Sequence, residues 1–535
     1  MSASRVSPPF RRLLIANRGE IALRIIRACR ELDVETVAVY SDVDATALHV
    51  RAADSAVHIG PAAASQSYLV AERIIAAALQ TGAEAIHPGY GFLSEQAAFA
   101  EAVEANGIVF VGPTPATLAG LGDKIAARQS ARAIDVPIVP GTFEPIAVGG
   151  PDDAAAIARI ADDIGYPVLV KAAAGGGGRG MRRVDDPTEL AGAVMAAAAE
   201  ALQAFGSASV YLEHYVEGGR HVEVQLLGDS HGTIVALGER DCSIQRRHQK
   251  LVEEAPAPGL SAQDRRRIHD LAVRVARSVG LRNAATAEFL VTPTGAAYFL
   301  EVNARLQVEH GVTELVSGID LVHEQLWIAA GQPLSDRVIA ASAAMVDPDR
   351  HAIELRVSAE DPSRSFAPTP GRIGRWREPA GPGVRMDSGV EEGQVVVGDY
   401  DPLLSKILVV ATDREMAIRR ARRAVAEMET GGIQTTLPFH GWLLAHPAFV
   451  AGQVRTDLVD RDWNAAPLRA RAARLAMEAV AQAVGSGGQS LGAQPAISGA
   501  TGDPGADHPA GRISDPTATD AWTRAARREA TERWP

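Results

Sequence analysis

Two glutamates and an asparagine are spaced so that they could bind a divalent cation together. Glu288 and Glu301 lie in strand-like runs joined by Thr-Pro-Thr-Gly at residues 292–295, which predicts a hairpin turn. A turn made by the last two of these residues would place Glu288 opposite Glu301, and a turn made by all four would place them diagonally on one face; Asn303 shares that face. Two such carboxylates repel each other without a cation, and Mg²⁺ prefers oxygen ligands. The pattern predicts a magnesium site, with two solvated glutamates on an outer face as the alternative.

A run of four glycines could contact phosphate groups. It lies in the segment KAAAGGGGRG at residues 171–180, after a predicted strand that ends with Lys171. Glycine loses the most backbone entropy on ordering, which disfavours a helix or a strand, but its N–H groups can surround phosphate oxygens in a moving lid. Lys171 could add a positive charge at the same phosphates. The segment is neither a Walker A nor a GxGxxG motif, and a flexible loop without a ligand is the alternative.

Polar residues occupy every second position from Glu301 to Glu309, which is typical of a half-buried strand with one wet face. That face would extend the predicted metal cluster and place Arg305, Gln307 and Glu309 along one groove. A carboxylate beside an arginine stays ionised at neutral pH and could take a proton from a small oxyacid that the arginine holds. An ordinary solvated strand face is the alternative.

Cations concentrate at residues 239–250, in the segment ERDCSIQRRHQK, although the chain as a whole is acidic. This segment could be a solvated loop or a pocket for a nucleotide and bicarbonate. The cluster is small and has no aromatic residues between its charges, which argues against a nucleic-acid surface.

Composition excludes several classes of protein. The 535 residues carry a net charge of −12, which gives no general attraction for nucleic acid or an anionic membrane. The two cysteines, Cys29 and Cys242, cannot build a disulfide framework or a four-thiolate zinc site. The sequence has no apolar run of the signal-peptide type or of membrane-spanning length. We expect a soluble, cytoplasmic protein that binds neither nucleic acid nor a membrane.

The order of predicted elements indicates an α/β and α+β protein of several domains. Residues 1–122 alternate strand and helix, which predicts an α/β domain with a parallel sheet. Residues 123–331 carry most of the polar motifs and contain an inserted subdomain at about 143–215. Residues 338–459 are richer in short strands and turns, which predicts a mixed, β-rich domain. Residues 464–535 predict a helix and then a tail too poor in apolar residues to become ordered.

Four segments together resemble signature sequences of biotin carboxylases, which are ATP-grasp enzymes. They are IANRGEIA at 15–22, HPGYGFLSE at 87–95, ERDCSIQRRHQ at 239–249 and QVEH at 307–310, and the resemblance runs unbroken from about residue 12 to residue 459. It implies three domains, with ATP held between the inserted lid and an ATP-grasp central domain, and usually a homodimer. It also implies ATP with Mg²⁺, or Mn²⁺ in its place, and biotin as a carrier-bound substrate not attached to this chain.

The resemblance assigns roles to residues by their positions in the family motifs. The ATP-binding positions are Lys124, Lys171, Gly177, Gly178, Glu213, His214, Tyr215, Val216, His221, Gln245, His248, Glu288 and Glu301. The magnesium ligands are Glu288, Glu301 and Asn303, which agrees with the hairpin argument. The bicarbonate-binding residues are Lys250, Arg305, Gln307, Val308 and Glu309. The biotin-binding residues are Tyr90 and Arg356. The catalytic residues are Arg305, Glu309, Lys250 and Arg356.

The mechanism implied by the resemblance passes through carboxyphosphate. Glu309 deprotonates bicarbonate held by Arg305 and Lys250, and the product attacks the γ-phosphate of ATP. Carboxyphosphate then collapses to CO₂ and phosphate, phosphate takes the ureido proton of biotin, and Arg356 offsets the charge of the resulting oxyanion. The metal and the lysines position and neutralise charge, and the lid excludes water.

The sequence departs from the family pattern at four positions. Ala174 stands where the lid usually has another glycine, and Ala287 replaces the usual aromatic residue before the first metal glutamate. Gly311 replaces the usual proline after QVEH, and Ala367 breaks a Phe-Leu-Pro run. None of these changes removes a charged residue of the site, so we expect an active enzyme.

No biotin-attachment segment of the Met-Lys-Met type follows Trp463, since Ala476-Met477-Glu478 lacks the lysine. We therefore expect the biotin carboxyl carrier protein and the carboxyltransferase of an acyl-CoA carboxylase on separate chains. The acyl-CoA acceptor is not indicated.

Two other functions stay open: another ATP-grasp ligase that forms an acyl phosphate, and a non-catalytic, carboxylase-like scaffold subunit. The segments HQK and QVEH argue against the first. The intact set of charged site residues argues against the second.

Overall fold

The computed structural model describes residues 7–122, 124–142, 153–172, 181–205 and 208–470, together with 144, 146, 473–474 and 477–478. The predicted lid glycines and most of the predicted tail lie outside these residues. No helix in the described part of the chain is long and apolar enough to cross a bilayer.

The N-terminal region folds around a parallel sheet, as the alternation of strands and helices predicted. Its five strands lie in the order β3-β2-β1-β4-β5. The elements are β1 (Arg12–Ile15), α1 (Gly19–Glu31), β2 (Glu35–Ser41), α2 (Leu48–Ala52), β3 (Ser55–Gly60), α3 (Ala71–Thr81), β4 (Ala85–His87), α4 (Ala97–Ala105), β5 (Val109–Phe110) and α5 (Pro115–Leu121). α2 and β3 were not predicted from the sequence. Only the last two residues of the edge strand β3 are buried, so it has no apolar run to reveal it.

A small antiparallel sheet with the order β7-β6-β8 forms the part of the predicted lid that the structure describes. α8 packs against this sheet, with Val194 and Ala197 in the shared apolar core. The elements are α6 (Lys124–Ala133), α7 (Asp153–Ile164), β6 (Val168–Ala172), β7 (Arg182–Val184), α8 (Leu190–Phe205) and β8 (Val210–His214).

The largest sheet has eight strands in the order β13-β12-β9-β10-β11-β14-β21-β19. It starts in the predicted central domain and continues into the predicted C-terminal domain, because β11 pairs with β14. The central elements are β9 (Arg220–Gly228), β10 (Ile234–Arg246), β11 (Gln249–Ala255), α9 (Ala262–Ser278), β12 (Asn283–Val291), β13 (Ala297–Asn303), α10 (His310–Ser317), α11 (Leu321–Ala329) and α12 (Asp336–Ala344).

The C-terminal region adds further strands of this sheet, several two-stranded pairs and a helical layer. The elements are β14 (His351–Ser358), β15 (Glu360–Asp361), β16 (Ala367–Pro368), β17 (Gly371–Arg372), β18 (Arg375–Arg377), β19 (Val384–Ser388), β20 (Val395–Val396), β21 (Leu403–Ala411), α13 (Arg414–Glu427), β22 (Glu429–Gly431), α14 (Leu437–Ala445), α15 (Pro447–Val450) and α16 (Leu458–Asp462). Beyond α16, Arg469 donates to the carbonyl oxygen of Ser363 at 2.9 Å, so the start of the predicted C-terminal helix contacts this region.

The β12–β13 hairpin depends on buried aromatic packing. Phe299 is 1% exposed, and its ring packs edge-on against Phe289 with centroids 5.9 Å apart. We expect Phe299→Ala to lower the free energy of unfolding by about 3–5 kcal/mol, measured by urea denaturation, because it leaves a cavity in the core. Leu79→Ala, at a side chain that is 53% exposed, should change it by less than about 1 kcal/mol. Equal losses in the two variants would contradict this account.

Candidate active site

A cleft of about 990 Å³ is lined by residues of the N-terminal region, the lid sheet and the eight-stranded sheet. Every predicted site residue whose side chain is described lines it. These residues are Tyr90, Lys171, Glu213, His214, Tyr215, Val216, His221, Gln245, His248, Lys250, Glu288, Glu301, Asn303, Arg305, Gln307, Val308, Glu309 and Arg356. The side chain of Lys124 and the residues Gly177 and Gly178 lie outside the described part of the chain. The fold therefore gathers the predicted residues around one cavity.

The predicted hairpin pairs Glu288 with Glu301. The predicted turn residues do form a turn, since the Gly295 N–H donates to the carbonyl oxygen of Thr292 at 2.9 Å, but neither predicted loop length is correct. Val291 pairs with Ala297, so residues 292–296 form the connecting loop. The register then shifts by one residue just before Glu288, as in a β-bulge. This bulge places the two glutamates opposite each other, as a two-residue turn would have done.

Three side chains contact the carboxylate of Glu288. Lys250 Nζ lies 3.1 Å from Oε1, Asn303 Nδ2 donates to Oε1 at 2.9 Å, and His221 Nε2 lies 2.9 Å from Oε2. Burial would raise the pKa of Glu288, but Lys250 and His221 lower it well below its usual range. Glu288 is therefore ionised at neutral pH.

The hairpin residues fit a divalent cation. Glu288 and Glu301 face each other across adjacent strands, and Asn303 contacts Glu288. All three line the cleft and offer only oxygen ligands, as Mg²⁺ prefers.

The predicted strand from Glu301 to Glu309 is wrong beyond Asn303. β13 ends there, and α10 begins at His310 after a loop. In this loop Arg305 Nη1 donates to Gln307 Oε1 at 2.7 Å and to Leu306 O at 3.2 Å. The loop is therefore held in part by hydrogen bonds between neighbouring residues and not by pairing with another strand. The polar alternation reflects side chains that converge on the cleft from a loop.

Lys250 bridges three carboxylates at one wall of the cleft. Its Nζ lies 2.5 Å from Glu223, 3.1 Å from Glu288 and 2.7 Å from Glu309. Arg247 and His248 form the turn that places Lys250 at the start of β11, and both have positive φ, as the tight hairpin turn requires. Buried charges need such partners, because an unpaired ion in the interior is costly.

Glu309 connects Lys250 with Arg356. Its side chain is 1% exposed, and Oε2 accepts a hydrogen bond from Arg356 Nη2 at 2.8 Å. Burial would raise the pKa of Glu309, but Lys250, Arg356 and Arg240 lower it well below its usual range. Glu309 is thus an ionised carboxylate in the cleft wall that could accept a proton from a bound acid.

Three charged residues of this cluster, Glu223, Arg240 and Glu253, were given no individual role from the sequence. Glu223 accepts a hydrogen bond from Arg240 Nε at 2.5 Å, and Glu253 accepts one from Arg356 Nε at 2.7 Å. Burial raises the pKa of Glu253 to about 7, although Arg356 lowers it. Glu223 could have been found, because it lies two residues after His221 on one strand face. Arg240 lay in the cationic segment 239–250 that the sequence singled out, whereas Glu253 gave no signal.

Two predicted ATP-binding residues contact each other on the lid sheet. Lys171 on β6 forms an ion pair with Glu213 on β8, and Arg128 of α6 contacts the same carboxylate. The neighbouring Tyr215 stacks under the guanidinium of Arg183, whose central carbon lies 4.3 Å from the ring centroid. These contacts hold Lys171 in the part of the cleft wall that the lid sheet forms.

Three family models cover most of the chain. The model for the biotin carboxylase N-terminal domain matches residues 9–118, and the model for the biotin carboxylase C-terminal domain matches residues 354–461. Between them, the ATP-binding domain of the carbamoyl-phosphate synthase L chain matches residues 123–337.

Individual relatives agree with these models. A biotin carboxylase from Nostoc is 48% identical over 84% of this chain and 98% of its own length. A biotin-dependent acyl-coenzyme A carboxylase alpha3 subunit from Mycobacterium leprae is 44% identical over 86% of this chain and 76% of its own length.

Solved structures agree in fold. A biotin carboxylase from Campylobacter jejuni, in complex with a β,γ-ATP ligand, has a TM-score of 0.80 at 42% identity and covers 84% of this chain and 99% of its own. The biotin carboxylase domain dimer of the Hydrogenobacter thermophilus 2-oxoglutarate carboxylase, in complex with MgADP and bicarbonate, has a TM-score of 0.79 at 42% identity, with coverages of 84% and 97%. The resemblance found in the sequence is confirmed: this chain belongs to the biotin carboxylase family.

Proposed function

We propose that this chain is an ATP-dependent ligase that carboxylates biotin with bicarbonate, the first half-reaction of a biotin-dependent carboxylase. The observation that carries the proposal is the position of Glu309, ionised and buried between Lys250 and Arg356, beside the Glu288–Glu301 hairpin. A proton acceptor, two cations and a metal-binding hairpin then surround one cavity, as a reaction between an oxyacid and a nucleotide phosphate requires.

We assign nucleotide binding to the lid side of the cleft and to the hairpin. Lys171, on the lid sheet, supplies positive charge toward the phosphates. The remaining nucleotide residues are Lys124, Gly177, Gly178, Glu213, His214, Tyr215, Val216, His221, Gln245 and His248. Glu288, Glu301 and Asn303 would hold Mg²⁺, or Mn²⁺ in its place, which when bound neutralises charge on the phosphates.

Bicarbonate binding is assigned to the loop after β13 and to Lys250. Arg305 and Lys250 attract the anion, and the loop residues Gln307 and Val308 orient it. Glu309 takes the bicarbonate proton, and the resulting oxygen attacks the γ-phosphorus while ADP leaves, which gives carboxyphosphate.

The second stage takes place on the side of the cleft that holds Tyr90 and Arg356. Carboxyphosphate breaks its carbon–oxygen bond to give CO₂ and phosphate, and phosphate accepts the ureido proton of biotin. The biotin nitrogen then forms its bond to CO₂. We assign to Arg356 the stabilisation of the negative charge on the ureido oxygen before that bond forms.

The relatives support a proposal about partners. The family includes chains of larger biotin-dependent carboxylases, among them a propionyl-CoA carboxylase alpha chain from Ruegeria pomeroyi and a pyruvate carboxylase from Rhizobium etli. We propose that this chain forms a homodimer in the cytoplasm and acts with a biotin carboxyl carrier protein and a carboxyltransferase on separate chains.

ADP release from Mg-ATP tests the proposal. We expect release that needs both bicarbonate and free biotin, together with formation of carboxybiotin from labelled bicarbonate. ADP release without dependence on biotin would favour another ligase that forms an acyl phosphate. A folded protein that binds Mg-ATP without turnover would favour a scaffold subunit.

Glu301→Gln should raise the Mg²⁺ concentration for half-maximal ADP release by roughly tenfold or more, because a neutral amide replaces a charged oxygen ligand. The measurement is a Mg²⁺ titration at fixed ATP. Glu104→Gln, an exposed glutamate on α4, is the control and should leave the titration unchanged. Identical curves for the two variants would remove Glu301 from the metal site.

A further inference from the structure

Lys406 on β21 lies buried between the biotin side and the bicarbonate side of the cleft, and the family motifs assign it no role. Its side chain is 0% exposed. Nζ donates to the carbonyl oxygen of Val308 at 2.8 Å and lies 3.2 Å from Oε1 of Glu20 and 3.8 Å from Oδ2 of Asp387. Lysine is almost never fully buried unless its charge is paired. These three oxygen contacts provide that pairing and hold the ammonium group in one place.

The contact with Glu20 leads to the biotin side. Glu20 lies in the first turn of α1 with its side chain 3% exposed, and the hydroxyl of Tyr90 donates to its Oε1. One carboxylate oxygen therefore contacts both Lys406 and the residue that we assign to biotin.

The contact with Val308 leads to the bicarbonate side. Val308 lies in the loop between β13 and α10, directly before Glu309. This loop has no strand partner, so its backbone position depends on individual hydrogen bonds. A bond to the Val308 carbonyl fixes the peptide plane that joins Val308 to Glu309.

Lys406 also connects three parts of the chain. Glu20 belongs to the N-terminal region, Val308 to the central region and Lys406 to the C-terminal region. Burial would lower the pKa of Lys406, but Glu20, Glu354 and Asp387 raise it. The ammonium group is therefore charged at neutral pH and can donate to an oxygen of each neighbouring region at once.

We propose that Lys406 is a positioning residue for the carboxylation reaction, which sets the bicarbonate loop and the Glu20–Tyr90 pair at a fixed separation. The inference rests on the proposed function. It differs from a purely structural role, in which Lys406 would only stabilise the junction of the three regions.

Lys406→Met and Glu20→Gln test the proposal, with Tyr90→Phe for comparison. Steady-state ADP release is measured with bicarbonate and free biotin varied separately, and Mg-ADP binding is measured by calorimetry. We expect Lys406→Met to raise KM for bicarbonate and KM for biotin by roughly tenfold each, as for the loss of a charge-assisted hydrogen bond. The Kd for Mg-ADP should stay within about twofold of wild type.

Glu20→Gln gives the sharper result, and it keeps the test decisive if Lys406→Met does not fold. Glu20 lines the cleft but is not part of the bicarbonate loop, and Lys406 contacts both Glu20 and that loop. We therefore expect Glu20→Gln to raise KM for bicarbonate through Lys406. Tyr90→Phe removes the hydroxyl but keeps the bond between Lys406 and Val308, and should change KM for biotin only.

Three outcomes would overturn the proposal. The first is a Glu20→Gln variant whose KM values are unchanged and whose kcat falls only in proportion to the folded fraction. This result would leave Lys406 with a purely structural role. Equal changes in the Kd for Mg-ADP and in both KM values would indicate a general disturbance of the cleft. A wild-type protein without bicarbonate- and biotin-dependent ADP release would overturn the proposed function as well.

Discussion

Replacement of Glu309 by glutamine is expected to lower kcat for ADP release by a factor of about 10² to 10⁴, the usual contribution of a general base. Glutamine keeps the size of the side chain but cannot accept the bicarbonate proton. Glu309 is 1% exposed and ion-paired on both sides, so water cannot easily take over its role. The measurement is ADP release at saturating ATP, bicarbonate and biotin.

The control for this variant is Glu314→Gln. Glu314 is also a buried glutamate, 5% exposed, and it also contacts two cations, Arg24 at 2.8 Å and Arg385 at 2.7 Å. It does not line the cleft. Glu314→Gln should therefore destabilise the protein while kcat per folded molecule stays within about threefold of wild type. If Glu309→Gln and Glu314→Gln lower kcat equally, Glu309 is not the base.

Replacement of Lys250 by methionine is expected to remove activity and to lower the free energy of unfolding by about 3–5 kcal/mol at pH 8, as for other buried ion pairs that lose one partner. The variant leaves Glu223, Glu288 and Glu309 close together without the ammonium group that contacts all three. Urea denaturation and ADP release measure the two effects.

The stability deficit of Lys250→Met should become smaller as the pH falls. In the wild type, burial opposes ionisation, but cations hold the pKa of Glu288 and of Glu309 below the unfolded-state value. The stability gained from this pairing is present above the unfolded-state pKa and is lost as the pH falls through the folded-state pKa. In the variant the carboxylates can be protonated at higher pH, which removes their repulsion. A deficit that is the same at pH 8 and pH 5.5 would contradict this explanation.

Arg267→Met is the matched control for Lys250→Met. Arg267 forms an ion pair with Asp264 at 3.1 Å, but the two side chains are 47% and 39% exposed. Exposed pairs of this kind contribute about 0–1 kcal/mol. The control should therefore lose little stability at either pH and keep its activity.

Sequence patterns predicted the parts of the site whose residues are close together in the sequence. Glu288 and Glu301 were placed on one hairpin because strand periodicity and turn residues are short-range signals. The turn residues were correct but the length of the connecting loop was wrong, and a bulge beside Glu288 restores the pairing that a two-residue loop would give. The strand predicted up to Glu309 was wrong for a related reason. Polar alternation resembles a strand even when a loop directs its side chains into a cleft.

The remaining parts of the site depend on contacts between distant segments. Glu253 meets Arg356 because β11 pairs with β14, and Lys406 meets Glu20 because β21 approaches the start of α1. Neither contact has a periodic signal in the sequence. Buried charges such as these resemble ordinary polar positions of a strand until their partners are known.

The eight-stranded sheet has a consequence for attempts to recombine this enzyme with its relatives. Glu301, Glu288, Glu223, Lys250, Arg356 and Lys406 lie on strands of this one sheet, where neighbouring strands are about 4.8 Å apart. A chimaera with its crossover between β11 and β14 would combine two halves of this cluster of charged residues from different proteins, in which the spacing between the halves evolved separately. Segments from β9 to β21 should therefore be exchanged together, whereas the lid, which has its own small sheet, can be exchanged separately.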